Sequence, residues 1–174
     1  MIFAIPTDTC FGLGCSFFDE KGYFEIYNLK SRTTNKPLSF VVKDFKELEK
    51  ITNLNKAQLN FLKNYSHPFT ILTSVKENFI LPSFLDKNIY NKVAFRVGEK
   101  CISKDLLDKI NFPIFLTSAN ISGENEIYSS SELVHIFKNK NIKIFTGNID
   151  KIPTSNIFEF IGETIEIQFH RKNY

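Results

Sequence analysis

No tryptophan occurs in this chain, methionine appears only at position 1, and cysteine and histidine number three each. Cys10, Cys15 and Cys101 are odd in number and form no C-x-x-C pair, which argues against a disulfide framework and a structural zinc site and for a reducing compartment. His67, His135 and His170 share no metal-ligand spacing and read as structural or surface residues, so no metal ligand is assigned. No apolar run approaches the roughly 18 residues of a membrane span, and no charged segment leads into a long apolar one at the start. A cytoplasmic protein without a membrane partner is expected. The pattern G-x-x-x-x-G-K-S/T is missing, which excludes a P-loop. Neither a Ser-His-Asp order nor a paired-carboxylate signature stands out, and no repeat, linker or low-complexity tract interrupts the chain.

What is present suffices for one domain over 1–174: 43% of the residues are hydrophobic and 24% charged, the balance of a globular protein with a sizeable core. Nineteen phenylalanines beside many Lys, Asn and Ile reflect biased codon use and point to no function. The net charge of +3 is compatible with a polyanionic partner or a nucleotide substrate, but does not diagnose nucleic-acid binding.

Strand-like and helix-like segments alternate. Residues 2–5 read as a buried strand stopped by Pro6; 38–42, 69–75, 93–97, 113–116, 142–145, 156–161 and 164–169 read as further strands. Helical stripes cover 19–30, 45–50 and 54–65, a helix follows Ser103 as N-cap, and another starts at 129–132. Residues 76–91 form a long connection interrupted by Pro82. This order predicts an α/β (α+β) fold of three layers around a twisted sheet of mixed direction.

Four stretches could carry chemistry, each with two readings. The cations of Leu29-Lys30-Ser31-Arg32-Thr33-Thr34-Asn35-Lys36-Pro37-Leu38-Ser39 follow a helix, where they either complement its dipole and face water or gather an anion. Pro6-Thr7-Asp8-Thr9-Cys10-Phe11-Gly12-Leu13-Gly14 is either a ligand rim or a plain loop, its glycines allowing close approach or positive φ. Arg96, inside Val-Ala-Phe-Arg-Val, is either internally paired or a bidentate grip on a carboxylate or phosphate. Thr117-Ser118-Ala119-Asn120 offers hydroxyl and amide groups just after a strand, where open α/β sheets bind ligands, or is a turn. Together they suggest positioning of anions, as in nucleotidyl transfer or simple binding, more than nucleophilic catalysis.

In order and approximate spacing, these stretches resemble the YrdC family of threonylcarbamoyl-AMP synthases. Pro6 to Cys15 is similar to its P-T-D/E-T-V-Y-G-L-G-C opening, Leu29 to Ser39 to L-K-x-R-x-x-x-K-P-L-S, and His67-Pro68-Phe69-Thr70 to P-G-P-x-T. Val93-Ala94-Phe95-Arg96-Val97 resembles V-A-V-R-V, and residues 117–123 resemble T-S-A-N-x-S-G. The resemblance implies a short single-domain enzyme with a basic concave cleft. Such an enzyme joins L-threonine, bicarbonate and ATP, with Mg²⁺, into threonylcarbamoyl-AMP and pyrophosphate, for modification of tRNA. It implies Lys30 and Arg32 as catalytic cations, and Thr9, Arg96 and Ser118 as threonine contacts. Arg32, Lys36, Lys92, Asn120, Ser129, Ser155 and Arg171 would contact ATP. Implied partners are tRNA or double-stranded RNA and the transferases that accept the adenylate.

Departures from the pattern are local. Only five residues precede the Pro-Thr-Asp-Thr turn, where the family usually has a helix and part of a strand, so either the domain is trimmed there or its start is misassigned. Phe11 replaces the usual Tyr, His67 replaces Gly, and Asn156 stands at the Thr position of the closing Pro-Ser-Thr-Val. The chain ends without the extra C-terminal domain of longer members. The competing reading is a non-catalytic RNA-binding module of the same fold. A further one, a domain serving carbamoyl transfer, normally sits in a longer chain with zinc-finger motifs that are missing here.

Overall fold

Six strands adjacent in one sheet each bury a phenylalanine on the same face, and this regularity fixes where the site can be. The computed structural model describes residues 1–147 and 149–174. The strands are β1 (Ile2–Pro6), β2 (Phe11–Ser16), β3 (Ser39–Val42), β4 (Phe69–Thr73), β5 (Val93–Val97), β6 (Ile114–Ser118), β7 (Ile142–Ile144), β8 (Asn156–Phe160) and β9 (Ile167–Arg171). They form a mixed sheet in the order β7-β1-β2-β6-β3-β5-β4-β8-β9. The pairs β1/β7, β3/β5 and β4/β8 are parallel, and the other neighbours antiparallel.

Because side chains alternate between faces, the register stacks like with like. Phe40 lies opposite both Phe95 and Phe115 on its neighbouring strands, with ring centroids 5.6 and 4.9 Å away. Phe11, Phe40, Phe69, Phe95, Phe115 and Phe158 are all buried and share one core. Each ring contributes roughly 1.5–3 kcal/mol by leaving water. Four helices add to this core: α1 (Glu20–Leu29), α2 (Phe45–Ile51), α3 (Lys56–Asn64) and α6 (Ser130–Ile136). Their first turns are capped by Asp19, Asp44, Asn55 and Ser129, whose side chains each accept a main-chain N–H.

The opposite face is only partly covered. Ile5, Val41, Ile114 and Leu116 pack there against α4 (Gly98–Cys101), α5 (Lys104–Leu107) and Ile110, completing a third layer. Beyond that patch most facing positions are small or polar, Leu72 and Ile157 excepted, and the sheet floor stays open as a cleft.

Some expectations shift. Strand β2 falls where a turn with glycines was expected, and α4 was not expected at all. Ser103 precedes α5, but its side chain makes no capping bond. The last strand begins later than expected because the chain first turns through Gly162 at φ 59°, which places Arg171 on a strand. Strand β1 lies between β2 and β7, so β7 forms that edge of the sheet.

Candidate functional site

The cleft has a volume of about 400 Å³ and is floored by the six strands that bury phenylalanine on their other side. Gly12, Ser39, Thr70, Ala94, Arg96, Leu116, Ser118 and Ile157 point into it. Small residues here cost the core nothing, since the aromatic face supplies the packing. Gly14, next along β2, approaches its neighbour closely: an added Cβ would lie 2.6 Å from the Phe115 carbonyl oxygen. Both glycines of the motif therefore serve close approach, and neither has positive φ.

One wall is the turn between β1 and β2. The Thr7 hydroxyl donates to the Cys10 carbonyl (2.7 Å), the Asp8 N–H donates to the Cys101 carbonyl (2.9 Å), and buried Thr9 lies with its Oγ1 3.3 Å from that of Thr7. Asp8 reaches from this turn to Arg96, with Oδ1 2.5 Å from Nη2, and Arg96 Nε donates to the Phe69 carbonyl. Arg96 is 8% exposed. Burial opposes its charge, but the neighbouring groups, the Asp8 carboxylate among them, outweigh burial and hold the guanidinium above its usual range. Both sequence readings of Arg96 thus meet: it is internally paired and still lines the cleft. Burial pushes the Cys101 thiol up to about 12, so it stays neutral.

The second wall is the basic run. Helix α1 ends at Lys30, and Ser31 takes a left-handed conformation at φ 49°, which reverses the chain. Arg32 then folds onto its own loop, donating to the carbonyls of Lys36 (3.1 and 3.2 Å) and Pro37 (3.2 Å), while lining the cleft. Buried tyrosines brace this loop from below. Tyr27 donates to the Lys36 carbonyl (2.9 Å), Tyr90 accepts from the Leu38 N–H (3.0 Å), and Tyr23 bridges the two hydroxyls. Burial holds all three phenols well above their usual range, leaving them neutral.

Lys30 itself turns inward and is 1% exposed. Its ammonium donates to the Ser118 carbonyl and to the Asn120 carbonyl (2.5 Å), with Asn120 Oδ1 at 3.4 Å. Burial, assisted by Arg32, pushes Lys30 down to about 8, so it remains charged at neutral pH, as three oxygen neighbours require. Asn120 also donates from Nδ2 to the Glu124 carbonyl (2.6 Å). The pair therefore fixes the segment after β6 and does not line the cleft.

The third wall is the chain's end. Arg171 donates from Nε (3.0 Å) and Nη2 (2.8 Å) to the Ser155 carbonyl, and Ser155 Oγ lies 3.0 Å from that of Thr70. Burial and Arg96 lower Arg171, and Glu126 works the other way. Asn156 is fully buried on the aromatic side, donating to the Tyr65 hydroxyl (2.7 Å) and accepting from the Asn173 N–H (2.7 Å). The departure at that position thus changes a contact remote from the cleft. His67 stacks on Tyr174 with centroids 4.9 Å apart, and Phe11 lies wholly in the core.

Of the residues named from sequence, Thr9, Arg32, Arg96, Ser118, Ser155 and Arg171 come together around one cavity. Lys30, Lys36, Lys92, Asn120 and Ser129 do not line it. Lys92 forms an ion pair with Glu159, which also holds His170 at 2.9 Å, a partner for that histidine invisible in the local sequence. Ser129 caps α6, and Lys36 is exposed on the loop above. Sequence reading missed Glu126, Thr70 and Thr154, which also face the cleft.

Known proteins share this fold. The family model named Sua5_yciO_yrdC, described as "Telomere recombination", matches residues 1–171. The threonylcarbamoyl-AMP synthase of Buchnera aphidicola is 31% identical over 170 residues, covering 94% of this chain and 95% of that protein. The enzyme of the same name from Actinobacillus succinogenes is 34% identical over 126 residues, covering 70% of this chain and 67% of that protein. Among solved structures, E. coli YciO superposes with a TM-score of 0.78 at 18% identity, over 98% of this chain and 82% of that one. The structure of P. abyssi Sua5 complexed with L-threonine gives 0.71 at 24% identity over 91% of this chain, which spans about half of that longer protein. These likenesses in structure establish the mixed-sheet fold, and the family match along nearly the whole length establishes more: the chain belongs to the Sua5, YciO and YrdC family.

Proposed function

We propose that this protein is an L-threonylcarbamoyladenylate synthase, a nucleotidyltransferase using L-threonine, bicarbonate and ATP. The observation that carries this reading is the convergence of Arg32, Arg96 and Arg171 with Thr9, Ser118 and Ser155 on one open cavity of the size that binds small molecules. The curated relatives that bear this name support it.

The substrates dictate the charge. Threonine's ammonium and bicarbonate combine to the carbamate, releasing water and one proton. A carbamate oxygen then attacks the α-phosphorus as the bond to pyrophosphate breaks. Anionic charge gathers on both sides of that phosphorus, and fixed cations would stabilise it. Arg96, already oriented by Asp8, would take the threonine carboxylate, with Thr9 and Ser118 holding the small substrate. Arg32, Arg171 and Ser155 would hold the phosphates and ribose. Lys30 would act by positioning the 118–120 segment and not by touching substrate. Among the described residues no three His, Cys, Asp or Glu side chains are grouped to hold a metal. Mg²⁺ accordingly enters this reading with ATP, on phosphate oxygens.

The test is pyrophosphate release by the purified chain with ATP, Mg²⁺, bicarbonate and L-threonine. Release dependent on threonine is expected, and Arg96→Ala is expected to raise the threonine KM sharply. Binding of double-stranded RNA with no threonine-dependent release would replace this reading with that of an RNA-binding module.

A further inference from the structure

The cleft is cationic except at one point. Glu126 is the single carboxylate lining it among the described residues, in company with Arg32, Arg96 and Arg171. A cavity that receives a polyphosphate and an amino-acid carboxylate gains nothing from a further negative charge unless a positive group on a ligand answers it. No described residue answers it: Glu126 takes part in none of the hydrogen bonds or ion pairs of the described residues. Arg171, whose charge Glu126 favours from a distance, spends its donors on Ser155 instead.

Its place is fixed from both sides. Upstream, Asn120 donates to the Glu124 carbonyl at 2.6 Å, and Asn120 is tied through Lys30 to the end of α1. Downstream, Ile127 is fully buried, and its carbonyl accepts from the Phe11 N–H at 2.9 Å, where β2 begins. A half-buried carboxylate is thereby held over the floor, facing the same cavity as Arg96 and Thr9.

We infer that Glu126 is the counter-charge for the α-ammonium of the amino-acid substrate, and so sets the requirement for a free amine. This inference rests on the adenylate-synthase reading above. An α-amino acid is a dipole whose two charges need opposite partners; Arg96 suits its carboxylate, and among the described residues Glu126 is the one anionic group lining the cleft to suit its ammonium. The same charge would then favour departure. Once the ammonium has become a carbamate, attraction to Glu126 becomes repulsion, which favours movement of the new anion toward the arginines that hold the phosphates.

The experiment compares the wild-type chain with Glu126→Gln and Glu126→Asp, each checked for an unchanged melting curve. L-threonine and 3-hydroxybutanoate, which lacks the amine, are titrated calorimetrically without ATP. Pyrophosphate assays then give KM for threonine and for ATP. Loss of one partly buried charge pair is expected to weaken threonine binding about tenfold in Glu126→Gln, with partial rescue in Glu126→Asp. The preference for threonine over 3-hydroxybutanoate should shrink by about the same tenfold factor, while the ATP KM and Mg²⁺ dependence stay put. Unchanged threonine affinity in Glu126→Gln, or a shift in ATP or Mg²⁺ dependence instead, overturns the assignment. A wild type that releases threonine-dependent pyrophosphate while the variant keeps its threonine KM defeats this inference alone; a wild type that binds no threonine defeats it and the proposed function together.

Discussion

Arg96 and Asp8 are 88 positions apart in sequence and meet at 2.5 Å, tying the interior strand β5 to the turn that opens the cleft. The carboxylate is what allows a guanidinium to sit in the sheet floor at all, because a buried charge without a partner is strongly destabilising.

Removing that partner has two expected consequences. Asp8→Ala should lower stability by about 3 kcal/mol, toward the lower end for broken buried pairs since Asp8 retains some solvent contact. It should also raise the threonine KM, since Arg96 loses its orientation. Urea unfolding and threonine titration measure both; an unchanged midpoint would show that the pair is not stabilising.

Lys30→Met strands the Ser118 and Asn120 carbonyls without their donor, and a loss of about 2–4 kcal/mol at pH 7 is expected. The pH dependence has a definite sign. Lys30 falls from 10.5 to about 8 on folding, so between those values the unfolded chain holds a proton that the folded chain has released. Stability contributed by this group is therefore level below pH 8 and rises through the window to pH 10.5, by roughly 3 kcal/mol in all. Raised thiols and phenols act oppositely over alkaline pH, so the quantity to follow is the difference between wild type and Lys30→Met. A flat difference from pH 7 to 10.5 would contradict a desolvated ammonium.

Gly12→Ala and Gly14→Ala should separate packing from function. At Gly14 the new Cβ meets the Phe115 main-chain oxygen at 2.6 Å, which only backbone movement relieves, and a cost of about 1–3 kcal/mol is expected. At Gly12 the nearest atom is Leu116 Cδ1 at 2.8 Å, a side chain able to swing. Gly12→Ala should melt closer to wild type yet narrow the cleft and weaken substrate binding. Equal melting temperatures for the two variants would refute the distinction.

Ser31 has a left-handed backbone without being glycine. Ser31→Gly should stabilise the fold by up to about 1 kcal/mol by relieving that conformation, leaving Arg32 where it is. A lower melting temperature would show that the Ser31 side chain contributes something the geometry does not reveal.

The sheet was largely legible because short apolar runs of strand length, such as 38–42, 69–75 and 93–97, stand out in short windows. Strand β2 was not, since glycine disfavours strands and only the neighbouring Phe115 oxygen explains why glycine is required there. In the site, the motif positions Thr9, Arg32, Arg96, Ser118, Ser155 and Arg171 all line the one cleft. They did not distinguish a cation that faces the cavity from one that holds its wall. Lys30 and Arg32 are two residues apart and have opposite surroundings, a difference made by the reversal at Ser31. Glu126 left no local signal, because one acidic residue in a turn has no period.

Sequence by itself determined the family, the alternation of elements, and which residue types were on hand to hold anions. Tertiary structure decided which of them share a cavity: pairing across the sheet set the facing of each strand, and long-range contacts such as Asp8 with Arg96 and Lys30 with Asn120 set the walls. The physical reason is range. Periodicity and turn chemistry act over a few residues, whereas the charge of a buried side chain is settled by whatever the fold brings within about 3 Å of it.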